Sequence, residues 1–329
     1  MSPMKFPTLP KTIRRPATLL ASLAVTGLVL AGCQDNLAGL DTKAFVPVPK
    51  KLVSKMKAKN MAPNAPIMVR IFKQENTLEI WKKTRSGRYA MLADYEICKW
   101  SGKLGPKFKE GDKQAPEGFY HVTPGLMNPK SQYHLAFNIG FPNAYDRAHG
   151  RTGTHLMVHG ACSSAGCYAM TDQQVEVIYA LARDAFKGGQ KKFQIQAFPF
   201  RMTEENMVKN RDNEHFAYWQ MLKQGHDHFE ITKVPPKVDV CEKRYEFNTE
   251  STARYPSTGA CHTRKMPRST ALAFTQYRSK SAVAFEELLA KAEKREPVAL
   301  APLTIEQVLP GVPVEQPAPK VVPTEAPQA

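Results

Sequence analysis

The stretch His155-Leu-Met-Val-His-Gly-Ala-Cys-Ser-Ser-Ala-Gly-Cys-Tyr168 places a candidate base and a candidate thiol nucleophile within nine residues. A thiol near its free pKa is only slightly ionised at neutral pH, so a nucleophilic cysteine needs a neighbouring imidazole or backbone dipoles that favour the thiolate. The residues between the two side chains are small enough to turn sharply and to aim backbone N–H groups at a developing oxyanion. The stretch therefore predicts a site built from Cys167 and His159, with Gly160, Ser164 and Gly166 in the turn.

A zinc site is an alternative interpretation of the same histidines. The alternation from Thr154 to His159 predicts a strand with His155 and His159 on one face. Residues four apart on a strand are about 13 Å apart, which is too far for two ligands of one zinc ion with bonds of about 2 Å. A helix would bring the two histidines together, but Gly153 and Gly160 disfavour one. We therefore predict no metal and no cofactor, and we expect His155 to support the site or the core.

Cys162 is a second candidate nucleophile and lies closer to the base in sequence. We favour Cys167 because a helix is predicted just beyond it, and a helix N-terminus favours negative charge on sulfur. Thr171 and Gln174 form a capping box for this helix, which is predicted over 172–187. Its core face is predicted to contain Val175, Ile178, Tyr179 and Ala182.

Short apolar runs on both sides of the quoted stretch predict a sheet. Residues 67–72 and 77–81 flank a polar turn at 74–76 and indicate a hairpin, and residues 89–97 indicate a third strand. Further strands are predicted at 116–124, 133–138 and 193–197, and further helices at 203–209, 214–223 and 269–294. This pattern predicts an α+β fold with a mixed β-sheet or β-sandwich-like core and packed helices.

The order His-Gly followed by Ser-x-Gly-Cys resembles the catalytic motif of the YkuD-type L,D-transpeptidases. The resemblance extends over residues 66–231 through four other blocks, Ser101–Lys107, Ala115–Tyr120, Asn138–Gly150 and Phe198–Met202. Ala165 stands where typical members carry an inner histidine, and the spacing from His159 to Cys167 is shorter. Both departures are similar to the YafK/DpaA branch. The resemblance implies a YkuD catalytic core that acts on peptidoglycan, with Cys167 as the nucleophile and His159 as the base.

The resemblance leaves two reactions open. The wider family implies L,D-transpeptidation through a thioester acyl-enzyme, which makes cross-links or attaches proteins to peptidoglycan. The YafK/DpaA branch implies an amidase that releases wall-linked outer-membrane proteins. A non-catalytic wall-binding lipoprotein is a third hypothesis, against which the intact His159 and Cys167 pair counts. We rank transfer first and hydrolysis second.

The connection from Gly140 to Gly153 carries many polar side chains, and long connections in compact domains are often functional. We assign Arg147 a substrate role through pairing with a peptide carboxylate, with a structural pair to a local acid as the alternative. Tyr133 or Tyr145 is the candidate side-chain donor to the oxyanion. The lysine-rich loop from Trp100 to Gln114 is predicted to meet acidic substrate or to be a solvated surface.

The N-terminus predicts export. Four basic residues precede the apolar run from Ala17 to Leu30, which is too short for a comfortable bilayer span, so residues 1–32 are predicted to be a signal peptide. Leu30-Ala-Gly-Cys33 resembles a bacterial lipobox, which implies a lipid on Cys33. Gln34 at the next position implies sorting to the outer membrane, with the protein in the periplasm.

The mature chain is predicted to remain strongly basic. Removing residues 1–32 deletes four of the 46 basic residues and none of the 30 acidic ones, which leaves a net charge of +12. Such a charge favours binding to anionic wall polymers; the alternative is that it only keeps the protein soluble. Nucleic acid is excluded as a partner by the predicted compartment.

The rest of the chain divides by composition. Residues 33–65 are rich in lysine and proline and predict a tether for a catalytic domain over 66–232. Residues 233–296 are predicted to be an extension with a disulfide-bounded loop and a helix, and residues 297–329 a proline-rich disordered tail.

The six cysteines leave four for disulfides once Cys33 is assigned to lipid and Cys167 to catalysis. Four cysteines allow three connectivities, of which we favour Cys98–Cys162 and Cys241–Cys261. The alternative is a free Cys162 that protects Cys167 or inactivates it.

Overall fold

The computed structural model of the protein describes residues 42–250, 255–261 and 266–313. The predicted signal peptide, Cys33 and residues 314–329 of the predicted tail lie outside these ranges. Residues from Lys43 onward group into one unit, to which the helices and strands below belong. Within the described ranges, no helix combines the length and the apolar character that crossing a membrane requires.

The secondary structure mixes short strands with helices. The strands are β1 (Ile67–Phe72), β2 (Thr77–Lys83), β3 (Tyr89–Glu96), β4 (Lys99–Trp100), β5 (Gly118–Val122), β6 (Met127–Asn128), β7 (Ala136–Asn138), β8 (Met157–His159), β9 (Tyr168–Ala169), β10 (Phe193–Phe198), β11 (Val238–Cys241) and β12 (Arg244–Phe247). The helices are α1 (Lys50–Ala58), α2 (Ala144–Ala148), α3 (Asp172–Lys187), α4 (Glu204–Lys209), α5 (Phe216–Thr232), α6 (Arg268–Glu293) and α7 (Ile305–Val308).

The first sheet has the strand order β3-β2-β1-β10-β5. The hairpin of β1 and β2 and the third strand β3 confirm the predicted meander. β1 pairs in parallel with β10, and β5 closes the other side in antiparallel orientation. Every residue of β1 and β10 is buried, because central strands covered on both faces lose the polar alternation of an edge strand.

The second sheet has the order β4-β9-β8-β7-β6, and its strands β8 and β9 belong to the segment over 155–169 that contains His159 and Cys167. β8 and β9 are parallel neighbours, and the other pairs are antiparallel. The predicted strand over 154–159 is shorter than expected and starts at Met157. The reason is His155, whose φ of 55° is in the left-handed region and ends the extended alternation.

Helix α3 packs against both sheets, through β1 of the first and β7 and β8 of the second. It spans the predicted residues, and the Thr171 and Gln174 capping box is present. Its predicted core residues are buried, namely Val175, Ile178, Tyr179 and Ala182. The mixture of these sheets and helices confirms the predicted α+β class.

The segment before β1 differs from the predicted tether. From Thr42 the chain is structured, and α1 packs against β3. Ala44, Met56 and Met61 are buried in the main core. Residues 43–65 therefore belong to the folded unit, because their few apolar side chains cover the core although they show little periodicity.

The C-terminal extension is also packed on the domain. The hairpin of β11 and β12 places Tyr245 and Phe247 against Phe119 of β5. Cys241 is bridged to Cys261. The described part of the predicted disordered tail instead contains α7, a short helix that contacts α6, because Val312 is buried in a small cluster with Met266 and Ala271.

Candidate active site

The two parallel strands β8 and β9 bring the predicted base and nucleophile together. Val158 pairs with Tyr168 and His159 with Ala169. Continuing this register by one residue places Cys167 beside Met157. Cys167 and His159 therefore lie on the same face of the sheet, with Cα atoms about 8 Å apart at ordinary strand spacings.

The His159 imidazole is fixed in one tautomer. Its Nδ1 lies 2.6 Å from the carbonyl oxygen of Gly160, which only accepts hydrogen bonds, so Nδ1 carries the proton. Nε2 is left with its lone pair. Burial lowers the pKa of His159 below that of a free imidazole, and the bond to Gly160 opposes this only in part. The ring is therefore a neutral base at physiological pH.

Gly160 holds this imidazole through its backbone. Its N–H donates to the carbonyl oxygens of Tyr133 at 3.0 Å and Leu135 at 3.1 Å. A Cβ at Gly160 would lie 2.5 Å from Asp172 Oδ1, 3.0 Å from His134 Cβ and 3.1 Å from the Tyr133 carbonyl oxygen, so a larger residue would crowd this position. The sequence predicts Gly160 in the oxyanion turn, but its N–H is already bonded to these two carbonyls, and its own carbonyl bonds the His159 ring.

The residues after Gly160 are clamped from two sides. The N–H of Ala161 donates to Asp172 Oδ1 at 2.7 Å, and the N–H of Cys162 donates to the Met170 carbonyl at 3.2 Å. Cys162 is bridged to Cys98, the pairing favoured from the sequence, so its sulfur is not free to attack a substrate. Ala161 and Cys162 both have positive φ, at 61° and 49°, and these bonds hold them there.

Cys167 is the one free cysteine of the described residues and is half-buried. Its Sγ donates to the carbonyl oxygen of His155 at 3.5 Å, while the side chain of His155 is exposed. Burial raises the pKa of Cys167 above that of an ordinary thiol, and a backbone hydrogen bond from Met157 and the positive charge of Lys107 oppose this shift. The resting group is therefore a thiol that needs a base in order to react.

The serine turn before Cys167 differs from the prediction. The N–H groups of Gly166 and Cys167 donate to Ser164 Oγ at 3.3 and 3.1 Å, and Ser164 Oγ donates to the Cys167 carbonyl at 2.7 Å. The two amides predicted to bind the oxyanion are thus used inside the turn. Ser164 shapes the turn that presents the thiol.

The three residues predicted to contact substrate, Tyr133, Tyr145 and Arg147, lie in different parts of the structure. The ring of Tyr133 is half-exposed and lies 4.8 Å from the His159 ring, so Tyr133 belongs to the site. Tyr145 is buried, and its ring stacks on Tyr245 of the extension with centroids 4.5 Å apart. Arg147 donates to the Pro142 carbonyl and lines a cavity of about 530 Å³ beside β11.

The lysine-rich loop over 100–114, called the basic loop below, is held by two buried lysines, Lys107 within it and Lys73 outside it, whose buried roles were not predicted from the sequence. Lys107 is almost fully buried and donates to Asp112 Oδ1 at 2.5 Å and to the Lys109 carbonyl at 3.0 Å. Burial raises the pKa of Asp112, but hydrogen bonds from Lys107 and from three backbone amides outweigh it and lower this pKa. The Lys-to-Asp spacing around Gly111 is the signal that could have identified this closed turn.

Lys73, which follows β1, is hydrogen-bonded to the backbone of the same loop. Its fully buried ammonium donates to the carbonyls of Lys103, Gly105 and Ala115 and to Glu117 Oε1, all at 2.9 to 3.0 Å. The loop also contacts the turn before Cys167, because the hydroxyls of Ser101 and Ser164 are 3.3 Å apart. Nothing in the local sequence marks Lys73, which follows an apolar strand.

One group of metal-ligating side chains occurs in the described ranges, formed by Cys241, Glu246 and Cys261. Its two sulfurs are joined in a disulfide and are not available as thiolate ligands. The candidate site itself is built from a thiol, an imidazole and an ammonium group, a set suited to nucleophilic acyl transfer.

Known proteins share much of this sequence. The chain is 42% identical over 233 residues to "Putative L,D-transpeptidase YafK" of Escherichia coli (strain K12), covering 71% of this chain and 90% of that protein. The protein of the same name in Escherichia coli O157:H7 matches to the same extent. No protein-family model matches the chain.

Solved structures are more distant. A mutant form of the helical cell shape determining protein Pgp2 from Campylobacter jejuni has 20% identity and a TM-score of 0.35, covering 56% of this chain and 69% of that one. Bd1075 of Bdellovibrio bacteriovorus has 21% identity and a TM-score of 0.29, with coverages of 51% and 61%.

Proposed function

Because the chain belongs to the L,D-transpeptidase family that includes YafK, we propose that it is a cysteine-dependent L,D-transpeptidase acting on peptidoglycan stem peptides. The observation that supports the proposal is the parallel register of β8 and β9, which, continued by one residue to Cys167, puts this cysteine on the same face as His159, whose Nε2 is left to accept a proton. The disulfide of Cys162 leaves Cys167 as the nucleophile of this stretch.

The reaction has two balanced steps. His159 Nε2 removes the Cys167 proton as the sulfur attacks the carbonyl carbon of a stem peptide next to a D-configured centre. The peptide C–N bond breaks, the amine leaves with the proton from His159, and a thioester remains on Cys167. An acceptor amine then attacks the thioester, passes its proton to His159, and releases the new amide and the free thiol.

Tyr133 is the side-chain donor that we assign to the oxyanion. Its ring rests against His159, whereas the amides of Gly166 and Cys167 already donate to Ser164. Donors aimed at the developing negative charge stabilise the tetrahedral intermediate more than the ground state.

Product analysis tests this function. The protein is incubated with muropeptides and with protein-linked peptidoglycan, and the products are identified by mass spectrometry. A new amide bond supports transfer. Release of the linked protein supports the amidase, in which water resolves the same thioester. Unchanged material that still co-sediments with the protein supports a wall-binding lipoprotein.

Two cysteine variants locate the nucleophile. Cys167→Ala is expected to abolish turnover and thioester formation, whereas Cys162→Ala removes the disulfide and retains part of the activity. The reverse pattern would move the nucleophile to Cys162 and contradict the mechanism.

We also propose that the protein works in the periplasm, anchored to the outer membrane by lipid on Cys33, where wall-linked outer-membrane proteins are substrates of the same site. The lipobox-like sequence ending at Cys33 supports the anchor. Metabolic labelling with a radioactive fatty acid should mark the wild type. A Cys33→Ser chain that is labelled equally would contradict the anchor.

A further inference from the structure

Helix α1 and the short turn before it carry a concentrated positive charge. Residues 42–66 contain six lysines and no acidic residue. Five of these lysines lie on or directly after α1, and all five are exposed: Lys50, Lys51, Lys55, Lys57 and Lys59. None of the five has an ion pair with an acidic side chain in the part of the chain that the structure describes.

The orientation of α1 is fixed by its inner face. Met56 is buried in the main core, and Leu52 packs against the same core. At 100° per residue, this places Lys50, Lys51 and Lys57 on the opposite, outward face, with Lys55 at its edge. Lys59 follows directly after the helix and is exposed there. The charge of α1 therefore lies mainly on the side away from the domain, and we call the five exposed lysines together the lysine face.

Apolar side chains are exposed in the same segment. Phe45 is 70% exposed and Val53 is 40% exposed. A soluble polyanion that bound the lysines would leave these groups in water. A lipid surface satisfies both kinds of side chain, because ammonium groups reach the phosphates while aromatic and aliphatic groups enter the interface.

We propose that the lysine face, with Phe45 and Val53, binds the anionic headgroup surface of a phospholipid membrane. The chain position agrees with this partner. Cys33 precedes Lys50 by 17 residues, which span at most about 60 Å when extended. A chain anchored at Cys33 would hold the face near the bilayer, although this step rests on the proposed anchor. Surface attraction of this kind adds with each lysine and decreases with salt.

Vesicle sedimentation tests the proposal without the lipid anchor. The chain from residue 33 onward, with Cys33→Ser, contains the whole unit that begins at Lys43. We expect it to bind phosphatidylcholine vesicles that contain phosphatidylglycerol at least about tenfold more tightly than pure phosphatidylcholine vesicles. The preference should weaken at high salt.

Two charge-matched variants separate the lysine face from net charge. One changes the five lysines of the face to glutamine, and it should lose the preference for anionic vesicles. The control changes five exposed lysines elsewhere to glutamine, and it should keep the preference. Its positions are Lys187, Lys191, Lys209, Lys291 and Lys294.

Three outcomes would overturn the proposal. Equal losses in both variants would show that net charge alone causes binding. Equal affinity of the starting chain for both vesicle types would remove the lipid surface as the partner. Loss of binding to isolated peptidoglycan by the lysine-face variant, with vesicle binding intact, would assign the face to the wall. None of these results depends on catalytic turnover, so the enzyme assay is judged separately.

Discussion

The reactivity of Cys167 depends on where its proton resides before a substrate arrives. Burial raises the pKa of this thiol and lowers that of His159, so both shifts favour the neutral pair over a thiolate and imidazolium. The base then acts during the attack, and the acidic limb of the activity profile should lie below the pKa of a free imidazole. Lys107 supplies the nearby positive charge that favours the thiolate.

Replacing Lys107 is the first prediction. Lys107→Met removes the charge that lowers the Cys167 pKa, so the pH midpoint of thiol alkylation by iodoacetamide should move to more alkaline values by up to about one pH unit. Lys107→Arg should restore most of the midpoint. Lys109→Met is the matched control, because the side chain of Lys109 is exposed and only its backbone bonds within the turn. An unchanged midpoint in Lys107→Met would remove the electrostatic role.

Gly160 gives a second test at this scale. An alanine Cβ would lie 2.5 Å from Asp172 Oδ1, 3.0 Å from His134 Cβ and 3.1 Å from the Tyr133 carbonyl. We expect Gly160→Ala to cost about 1–3 kcal/mol of stability and to lower turnover about 100-fold, since small displacements of a catalytic base have large effects. Urea unfolding and turnover measure the two effects. The control is Gly125→Ala, whose Cβ meets nothing within 4 Å, and a Gly160→Ala enzyme as active as this control would contradict the orienting role.

The proposed pair of Cys167 and His159 follows from residue types alone, whereas the groups that hold the two side chains could not be predicted. The acceptor for His159 Nδ1 is a backbone carbonyl, and every residue carries one. The amides near Cys167 were predicted to face an oxyanion, whereas the Ser164 hydroxyl occupies them. The small residues before Cys167 permit a tight turn, but the sequence does not show whether Ser163 or Ser164 supplies the hydroxyl that bonds its amides.

At the scale of elements, the basic loop before β5 depends on one buried ion pair. Lys73 and Glu117 are fully buried, and Glu117 also accepts from the Gly105 N–H and from Trp219 Nε1. Because Ser101 of the loop contacts Ser164 in the turn before Cys167, we expect the anchoring of the loop to affect both stability and the candidate site.

Lys73→Met is therefore expected to destabilise the protein by about 3–5 kcal/mol, because it leaves the Glu117 carboxylate buried without its cation. Urea unfolding measures this cost. The double variant Lys73→Met with Glu117→Gln should recover part of it, since the uncompensated charge is gone. A single variant as stable as the wild type would show that the pair contributes nothing.

The helices that could be predicted are those whose capping residues and apolar spacing lie within the helical segment itself. Helix α3 was placed correctly because its start at Thr171 and its apolar spacing are both contained within the segment. Helix α1 was missed because the partners of Leu52 and Met56 lie in a core formed by distant strands. Only tertiary contacts make residues 43–65 part of the fold.

For the whole molecule, the C-terminal extension is connected to the site through α5. Phe274 of α6 stacks on His228 of α5 with ring centroids 3.9 Å apart, and Arg278 approaches Asp227 at 3.4 Å. Earlier on α5, Trp219 donates to Glu117, which holds Lys73 below the basic loop. The sequence predicted the helix and the disulfide loop as an appendage, because it could not show that their apolar side chains complete the core of the domain.

Phe274→Ala tests whether the extension stabilises the whole unit. Phe274 is 2% exposed, and its truncation should cost about 3–5 kcal/mol of unfolding free energy in a single cooperative transition. Leu272→Ala lies on the same helix at 39% exposure and should change stability by less than about 1 kcal/mol. The alkylation midpoint of Cys167 should remain that of the wild type in folded protein, since the groups that shift the pKa of this thiol are Met157 and Lys107, and Phe274 packs on His228 of α5. If α6 unfolds in a separate transition at lower urea while residues 66–232 unfold at the wild-type urea concentration, the extension folds independently. If the whole unit unfolds in one transition at a lower urea concentration than the wild type, the domain over 66–232 depends on the extension for its stability.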